Sequence, residues 1–558
     1  MKSFCVSILI SLFSLTLFAI EPAEKNVVFV SSETFRQSME PWIEYRAKQG
    51  YAIHWIKPGS NATEETISRE IRKLAKTVSL SAILIVGNAY PDGTGNIIAC
   101  PRIGSQVIHD FGDESHIASD NLYADLDGDG LPDVPIGRFS VDTTQELDAI
   151  IRKTIKYESN QRPGPWSRRI NLVAGVGGFT PVLDQTIESS ARYIISRLIP
   201  PEYDITLTQA DWRSPYCPPP NRFRNETLAR LNEGCLLWVY LGHGDHRSLD
   251  YVFTPDSVST KIADAFPIFS EGDTQFVSCK NGSPIAVFLA CYTGALDARD
   301  DCIAEELHRL ETGPVAVLAS SRTSMPYGMA SLGIELLGEL YKPRSDDESV
   351  LLGEVVLAAE RQMVLRSEKP VLKPTQANPK ITERPVQEIV DSMAAMFDPT
   401  RNKLDRQRLD HLYLFQLFGD PLLQIPRPLK IAIDSPDKML RESTVDISGT
   451  IPRYSGGQKS TAFQERAFVE IAVPKSRNTV AYPKRQVFEL TDETVKEYNE
   501  MYEKSNRRTL LRADAKIVGN RFDCRLSIPK LPKGEYDLRV YYESNDRFGL
   551  GAKTITVQ

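Results

Sequence analysis

Two short stretches put reactive side chains where a fold could use them. LLWVYLGHGDHRSLD places His243 directly after an apolar run ending at Leu241, between Gly242 and Gly244. IAVFLACYTGALD places Cys291 directly after a second apolar run, with Gly294 close behind. A thiol becomes an effective nucleophile when a base within hydrogen-bond reach takes its proton, and imidazole has the appropriate basicity. A nearby imidazolium also favours thiolate, whereas burial among apolar side chains opposes it. Glycines beside the histidine let a backbone pass closely and can present an amide N–H. The Gly244 and Cys291 amides are therefore candidates for an oxyanion hole. Each feature also has a plainer reading: a cysteine ending an apolar strand is ordinarily a core residue, and GHG can be a turn with an incidental histidine.

A second cluster offers oxygen ligands. Asp125, Asp127, Asp129 and Asp133 follow the pattern DxDGDGxxD, with Gly130 free to make the sharp bend that a calcium loop needs. Ile136 stands where a twelfth-position glutamate would be expected, so this is not a complete EF-hand. The cluster reads either as a structural Ca2+ site or as a solvated acidic turn, and thiol hydrolysis itself requires no metal. The seven histidines form no HExxH pattern, no CxxC pair suggests zinc, and no GxSxG elbow suggests a serine hydrolase. His246 lies in a polar turn and His308 on a helix without evident ligand partners.

Such groups need rigid elements to hold them. From about residue 25 to 425 the chain alternates apolar strand runs with helical stripes, which predicts a mostly parallel sheet covered by helices. Asn26–Val30, Tyr51–Ile56 and Ala82–Val86 read as strands of a first set, with Asn61 and Glu64 as a capping box before a helix carrying Ile67, Ile71 and Leu74. A second set comprises Ile170–Ala174, Cys235–Leu241, Pro284–Ala290 and Pro314–Ala319, with helical stripes at Ile187–Leu198 and Ile303–Leu310. Proline and glycine around Asn160–Trp166 mark a hinge between the sets, as two domains or two halves of one. Residues 366–386 suit an exposed excursion. After Pro426 the period becomes two, at Ile431/Ile433, Val445/Ile447 and Tyr536/Leu538/Val540, which predicts a small β-sandwich. In open α/β sheets, side chains just beyond the carboxyl ends of strands are held firmly yet remain accessible. His243 and Cys291 occupy such positions.

The whole chain sets outer bounds. Its 558 residues call for two or three domains, and a net charge of -7 without a basic run gives no reason to expect nucleic acid. Lys2 followed by the apolar run Val6–Ile20 reads as an export signal with cleavage near Ala19, a retained anchor being the alternative. The remainder has no second run of spanning length, so the expected product is exported, periplasmic or extracellular, without integral membrane association. Eight cysteines become seven once Cys5 leaves with the signal, and an odd number leaves at least one thiol free or bonded to another chain.

The motifs taken together resemble the gingipain-type cysteine peptidases, which have a caspase-like fold. GHG after a strand and ACxxG after the next are joined by SDNLYADLDGDGLPDVPIGRF (Ser119–Phe139), AGVGGF (Ala174–Phe179), AEELHRLETGPVAVLASSRTS (Ala304–Ser324) and LFGDPLLQIP (Leu417–Pro426), in the family's order. After the signal at 1–20, the resemblance implies the two halves of a catalytic region at 26–165 and 166–426, and an immunoglobulin-like β-sandwich at 427–558. It implies a cysteine endopeptidase acting on peptide or protein substrates, with His243 as base and Cys291 as nucleophile. A preference for basic P1 residues would rest on Asp184, whose simpler role is a helix N-cap. Some members carry a glutamate that orients the histidine where this chain has Val176. That leaves a dyad, a substitute carboxylate such as Asp120 or Asp184, or a backbone carbonyl as the orienting group. The alternative is a catalytically silent caspase-like scaffold that binds protein.

Overall fold

A computed structural model describes residues 25–59, 62–90, 96–111, 114–159, 163–177, 194–255, 262–345, 349–365, 386–397, 402–452, 465–477 and 485–558. The export segment, Asn61, Asp184 and the excursion at 366–385 lie outside these residues.

Ten strands form one sheet: β1 (Lys25–Ser31), β2 (Tyr51–Ile56), β3 (Leu80–Val86), β4 (Ile136–Phe139), β5 (Arg169–Ala174), β6 (Asp204–Gln209), β7 (Leu237–Leu241), β8 (Ile285–Leu289), β9 (Ala316–Ser320) and β10 (Phe415–Phe418). Their order across the sheet is β2-β1-β3-β4-β10-β9-β8-β7-β5-β6. The two sets are thus halves of one sheet. Their near-continuous apolar runs follow from cover on both faces. Val27 and Phe29 of β1 pack with Trp42, Leu147 and Ile150, while Val28 and Val30 pack with Ile67 and Ile71 on the opposite side. In β8, Ile285, Val287 and Leu289 face one core, and Ala286 and Phe288 face the other.

Within each half the strands are parallel, but β9 pairs antiparallel with β10, which itself runs parallel to β4. The two halves therefore point in opposite directions. Three strands escape a reading by apolar runs: β4, β6 and β10. The last closes the seam only after the chain has completed the second half. Its neighbour Asp420 is fully buried against helix Glu40–Lys48, where Arg46 and the Trp42 indole donate to its carboxylate. Helix Glu64–Ala75 is capped by Thr63, whose hydroxyl accepts the Thr66 amide. At the expected hinge, Trp166 and Arg168 are buried, so that end of the joint is fixed.

The C-terminal sandwich closes on itself. Leu429–Lys430 pairs with Phe548–Val557, and the next strand, Ala432–Asp434, pairs with Ser443–Thr450 at the other end of the strand order. It also carries an element that the period-two pattern does not announce, the helix Asp492–Asn506. This helix covers β6, the edge strand: Asn506 donates to the Leu207 carbonyl and accepts the Leu207 amide, and Tyr502 bonds Thr208. Covering an edge in this way blocks strand addition there. A buried ion cluster fastens the two units, with Glu470 accepting from Arg168 of the sheet region and from Arg512 and Arg539 of the sandwich.

Candidate active site

Strands β7 and β8 are parallel neighbours, and their register pairs Leu241 with Leu289. His243 and Cys291 each lie two residues beyond that rung, at matching heights on strands ~5 Å apart. The ladder continues past the strands: the Gly242 amide donates to Leu289 O at 3.2 Å, and Gly175 donates to Leu241 O at 2.8 Å. A Cβ on Gly244 would fall 2.9 Å from Cys291 O, so the histidine and cysteine turns touch through backbone. Only glycine fits at this contact.

The imidazole has a defined tautomer. His243 Nε2 lies 2.8 Å from Gly177 O; a carbonyl can only accept, so Nε2 carries the proton and Nδ1 is the basic nitrogen. A backbone carbonyl, one of the three options the sequence leaves open, therefore fixes the ring. Asp120 is occupied elsewhere, paired through both oxygens with the buried Arg138 guanidinium at 2.7 Å. A different carboxylate stands beside the histidine turn. Asp250 Oδ2 accepts the Val176 amide at 3.3 Å, one residue before Gly177, and Oδ1 accepts Tyr251 N–H at 2.7 Å. The Tyr240 hydroxyl donates to His243 O at 2.7 Å and receives the Asp250 amide at 3.4 Å. Burial raises the pKa of Asp250, and the Tyr251 amide, the nearby His243 and the Val176 amide partly offset that rise.

On the nucleophile side, Ser324 N–H points at Cys291 Sγ over 3.3 Å, a donor complementary to a thiolate. Tyr292, next in the chain, has φ 58°, a left-handed conformation that costs a bulky residue about 1–2 kcal/mol. The turn is pinned by Tyr292 N–H to Arg322 O (3.2 Å) and Gly294 N–H to Ser320 O (2.8 Å). Arg322 in turn grips Asp297 through two 2.8 Å bonds, and Arg102 binds Asp297 Oδ2 at 2.8 and 3.1 Å. These arginines hold the Asp297 carboxyl below the usual carboxylate range despite its burial. Arg102 belongs to the crossover from β3 to β4, so this excursion brings the oppositely directed first half to the nucleophile. Arg102, Asp297 and Arg322 line a cleft of about 310 Å³ with Tyr292, Glu114 and His246. The ring of His246 faces Asp245, and its carbonyl receives the amide of Ile303.

Sequence patterning did not single out Asp250, Asp297, Arg322 or Gly177. Asp297 and Arg322 are 25 positions apart, and no local spacing rule connects them. Asp250 closes the LLWVYLGHGDHRSLD stretch; its only local signal is that it opens the strand Tyr251–Pro255, whose hairpin returns beside the histidine turn.

The structure brings Asp125, Asp127 and Asp133 together, each with an oxygen within 4.8 Å of the others. Asp129 stands apart from this group and accepts the Leu131 amide. Arg72 and Arg361 flank the loop, each 3.7 Å from one of its carboxylates. None of the seven described cysteines is in a disulfide. Six are buried and Cys291 is half-buried, so the free thiol is not the remainder of paired ones, as the odd count suggests. Burial raises the pKa of Cys100, Cys217, Cys235, Cys279, Cys302 and Cys524. Among the described residues, no helix is long and apolar enough to cross a membrane.

The sequence profile of peptidase family C25 matches residues 20–426. Lys-gingipain HG66 of Porphyromonas gingivalis is 22% identical over 311 residues, which are 54% of this chain and 16% of that protein. Lys-gingipain W83 of the same organism gives the same identity and coverage. The chain thus matches only a small part of these relatives' length. Among solved structures, the Arg specific cysteine proteinase gingipain R matches with a TM-score of 0.52 at 16% identity, covering 96% of this chain and 98% of that one. The complex of Porphyromonas gingivalis RgpB pro- and mature domains gives 0.52 and 16%, with 96% and 100% covered. These likenesses establish the caspase-like fold. With the family profile running from the start of the sheet through β10, the chain belongs to peptidase family C25.

Proposed function

We propose that the protein is an exported cysteine-type endopeptidase that hydrolyses peptide bonds through a Cys291–His243 dyad. The observation that carries the reading is the matched placement of the two residues, each two positions beyond the Leu241–Leu289 rung. With Nε2–H held by Gly177 O, Nδ1 takes the thiol proton. Sγ attacks the scissile carbonyl, and the Gly244 and Cys291 amides, on touching turns, receive the oxyanion. His243 then gives its proton to the leaving amine, and water releases the acyl-enzyme. The Lys and Arg specificities in the relatives' names support a basic P1 preference. Asp184, which the family resemblance nominates for that pocket, is the residue we assign to it.

The acidic loop is proposed as a structural Ca2+ site built on Asp125, Asp127 and Asp133. Three carboxylates on a glycine-turned loop fit a hard cation, and Gly128 and Gly130 take the positive φ values of 88° and 89° that the bend requires.

Labelling with an electrophilic peptide probe tests the dyad. Cys291 should be the modified cysteine, with labelling lost in C291A and at least about tenfold slower in H243A. Folded protein that never labels, with or without calcium, would favour the silent scaffold. Equal turnover of arginyl, lysyl and neutral P1 substrates would remove the basic pocket.

A further inference from the structure

A carboxylate that the dyad itself does not use reaches the loop carrying the histidine's hydrogen-bond acceptor. Asp250 reaches over from the start of the Tyr251–Pro255 hairpin. Its Oδ2 lies against the backbone of the loop that holds the imidazole: a Cβ on Gly175 would meet it at 3.3 Å, and it accepts the Val176 amide. Two residues after Gly175, the Gly177 carbonyl receives His243 Nε2–H. A second tie runs through Tyr240, whose hydroxyl links the Asp250 amide to the His243 carbonyl. Asp250 is therefore tied to both sides of the ring's mounting, by its carboxylate on the Val176 side and by its backbone amide on the Tyr240 side. A Cβ on Gly175 would also meet the Tyr240 hydroxyl at 2.8 Å, so the loop's small residue keeps this approach open.

We infer that Asp250 is the positioning residue for the general base: it anchors the Gly175–Gly177 loop that fixes the imidazole and places a negative charge beside the imidazolium formed when Cys291 is deprotonated. The inference rests on reading His243 as the base. The proton moves from Sγ to Nδ1 while Nε2–H stays on Gly177 O, and Asp250 takes up no proton. It acts by stabilising the ion pair and by keeping the tautomer. Among the described residues, His243 acts on the Asp250 carboxyl, and Asp250 and Cys291 both act on the Tyr240 phenol. The plainer role, an aspartate merely closing a turn on the Tyr251 amide, predicts none of this coupling.

The full chain is compared as wild type, D250N and D250E. In D250N, kcat should fall by about tenfold or more with KM within about twofold, and D250E should recover part of the loss. The His243 imidazole, followed by NMR and assigned by its loss in H243Q, should titrate lower in D250N by roughly half a unit or more, because the imidazolium loses its neighbouring charge. A folded D250N with wild-type kcat and an unmoved imidazole titration overturns the inference. A wild type that turns over no peptide but shows the shifted titration would sink the peptidase reading and leave the Asp250 coupling standing. An unmoved titration in both D250N and a folded D250S removes the coupling whatever the activity.

Discussion

The contact between the two catalytic turns can be tested by adding one methyl group. In Gly244→Ala the new Cβ would lie 2.9 Å from Cys291 O and 3.0 Å from both Ala290 Cβ and Thr293 Cγ2. Ordinary contacts of this kind begin near ~3.5 Å. The first two atoms belong to backbone or to a Cβ, and Thr293 is fully buried, so none can rotate aside. The histidine turn must then move away from the cysteine turn by roughly half an ångström. Displacements near ~1 Å can cost a reaction about a hundredfold, so about a tenfold fall in kcat/KM is expected. Overpacking should also cost about 1–3 kcal/mol of stability. Peptide hydrolysis, alkylation of Cys291 by a small neutral reagent and urea unfolding would be measured together. Gly353→Ala is the control, since its Cβ would crowd Pro421 O at 2.6 Å in another part of the fold. It should lose stability without a comparable loss of kcat/KM per folded molecule. A Gly244→Ala enzyme with wild-type kcat/KM and stability would refute the juxtaposition.

Three further outcomes follow from the same geometry. The arginines around Glu470 hold its carboxyl at about 2 against an ordinary 4.5; at ~1.36 kcal/mol per unit this is about 3 kcal/mol of stability, present above pH 4.5 and lost as pH falls toward 2. Urea unfolding should show that loss in wild type and not in E470Q, which should already be destabilised by about 3–5 kcal/mol through its uncompensated arginines; parallel pH profiles would contradict this. Asp297→Asn and Arg322→Ala should each loosen the Tyr292 turn and lower kcat, with a coupling of about 1–3 kcal/mol in the double-mutant cycle; additive effects would dismiss the clamp. Millimolar calcium should raise the unfolding temperature by a few degrees in wild type and not in D125N/D133N, and equal shifts in both would place the ion elsewhere.

What the sequence determined is what local chemistry can express. An apolar run such as Asn26–Val30 needs cover on both faces, so β1, β3, β7 and β8 and their helices were legible from composition alone. So was the contrast with the alternating Tyr536, Leu538 and Val540 of the sandwich. GHG and ACxxG also nominated His243 and Cys291, because glycine beside a reactive side chain at a strand end has a local meaning. The tertiary structure decided which strands are neighbours, since a buried run records burial without naming its partner. Only the register of β7 on β8 brings the two residues to one height, and only the late return of β10 sets the halves in opposite directions. β4 and β10 are four residues each, too short for a period to show. The long-range ion pairs were equally hidden. Arg102 reaches Asp297 across 195 positions and Arg168 reaches Glu470 across 302, distances over which charge pattern carries no pairing information. Asp250 is close to His243 in sequence, yet its role depends on the hairpin folding back over the Gly175–Gly177 loop. The residues that react were therefore readable from local sequence, whereas the residues that aim them were chosen by packing.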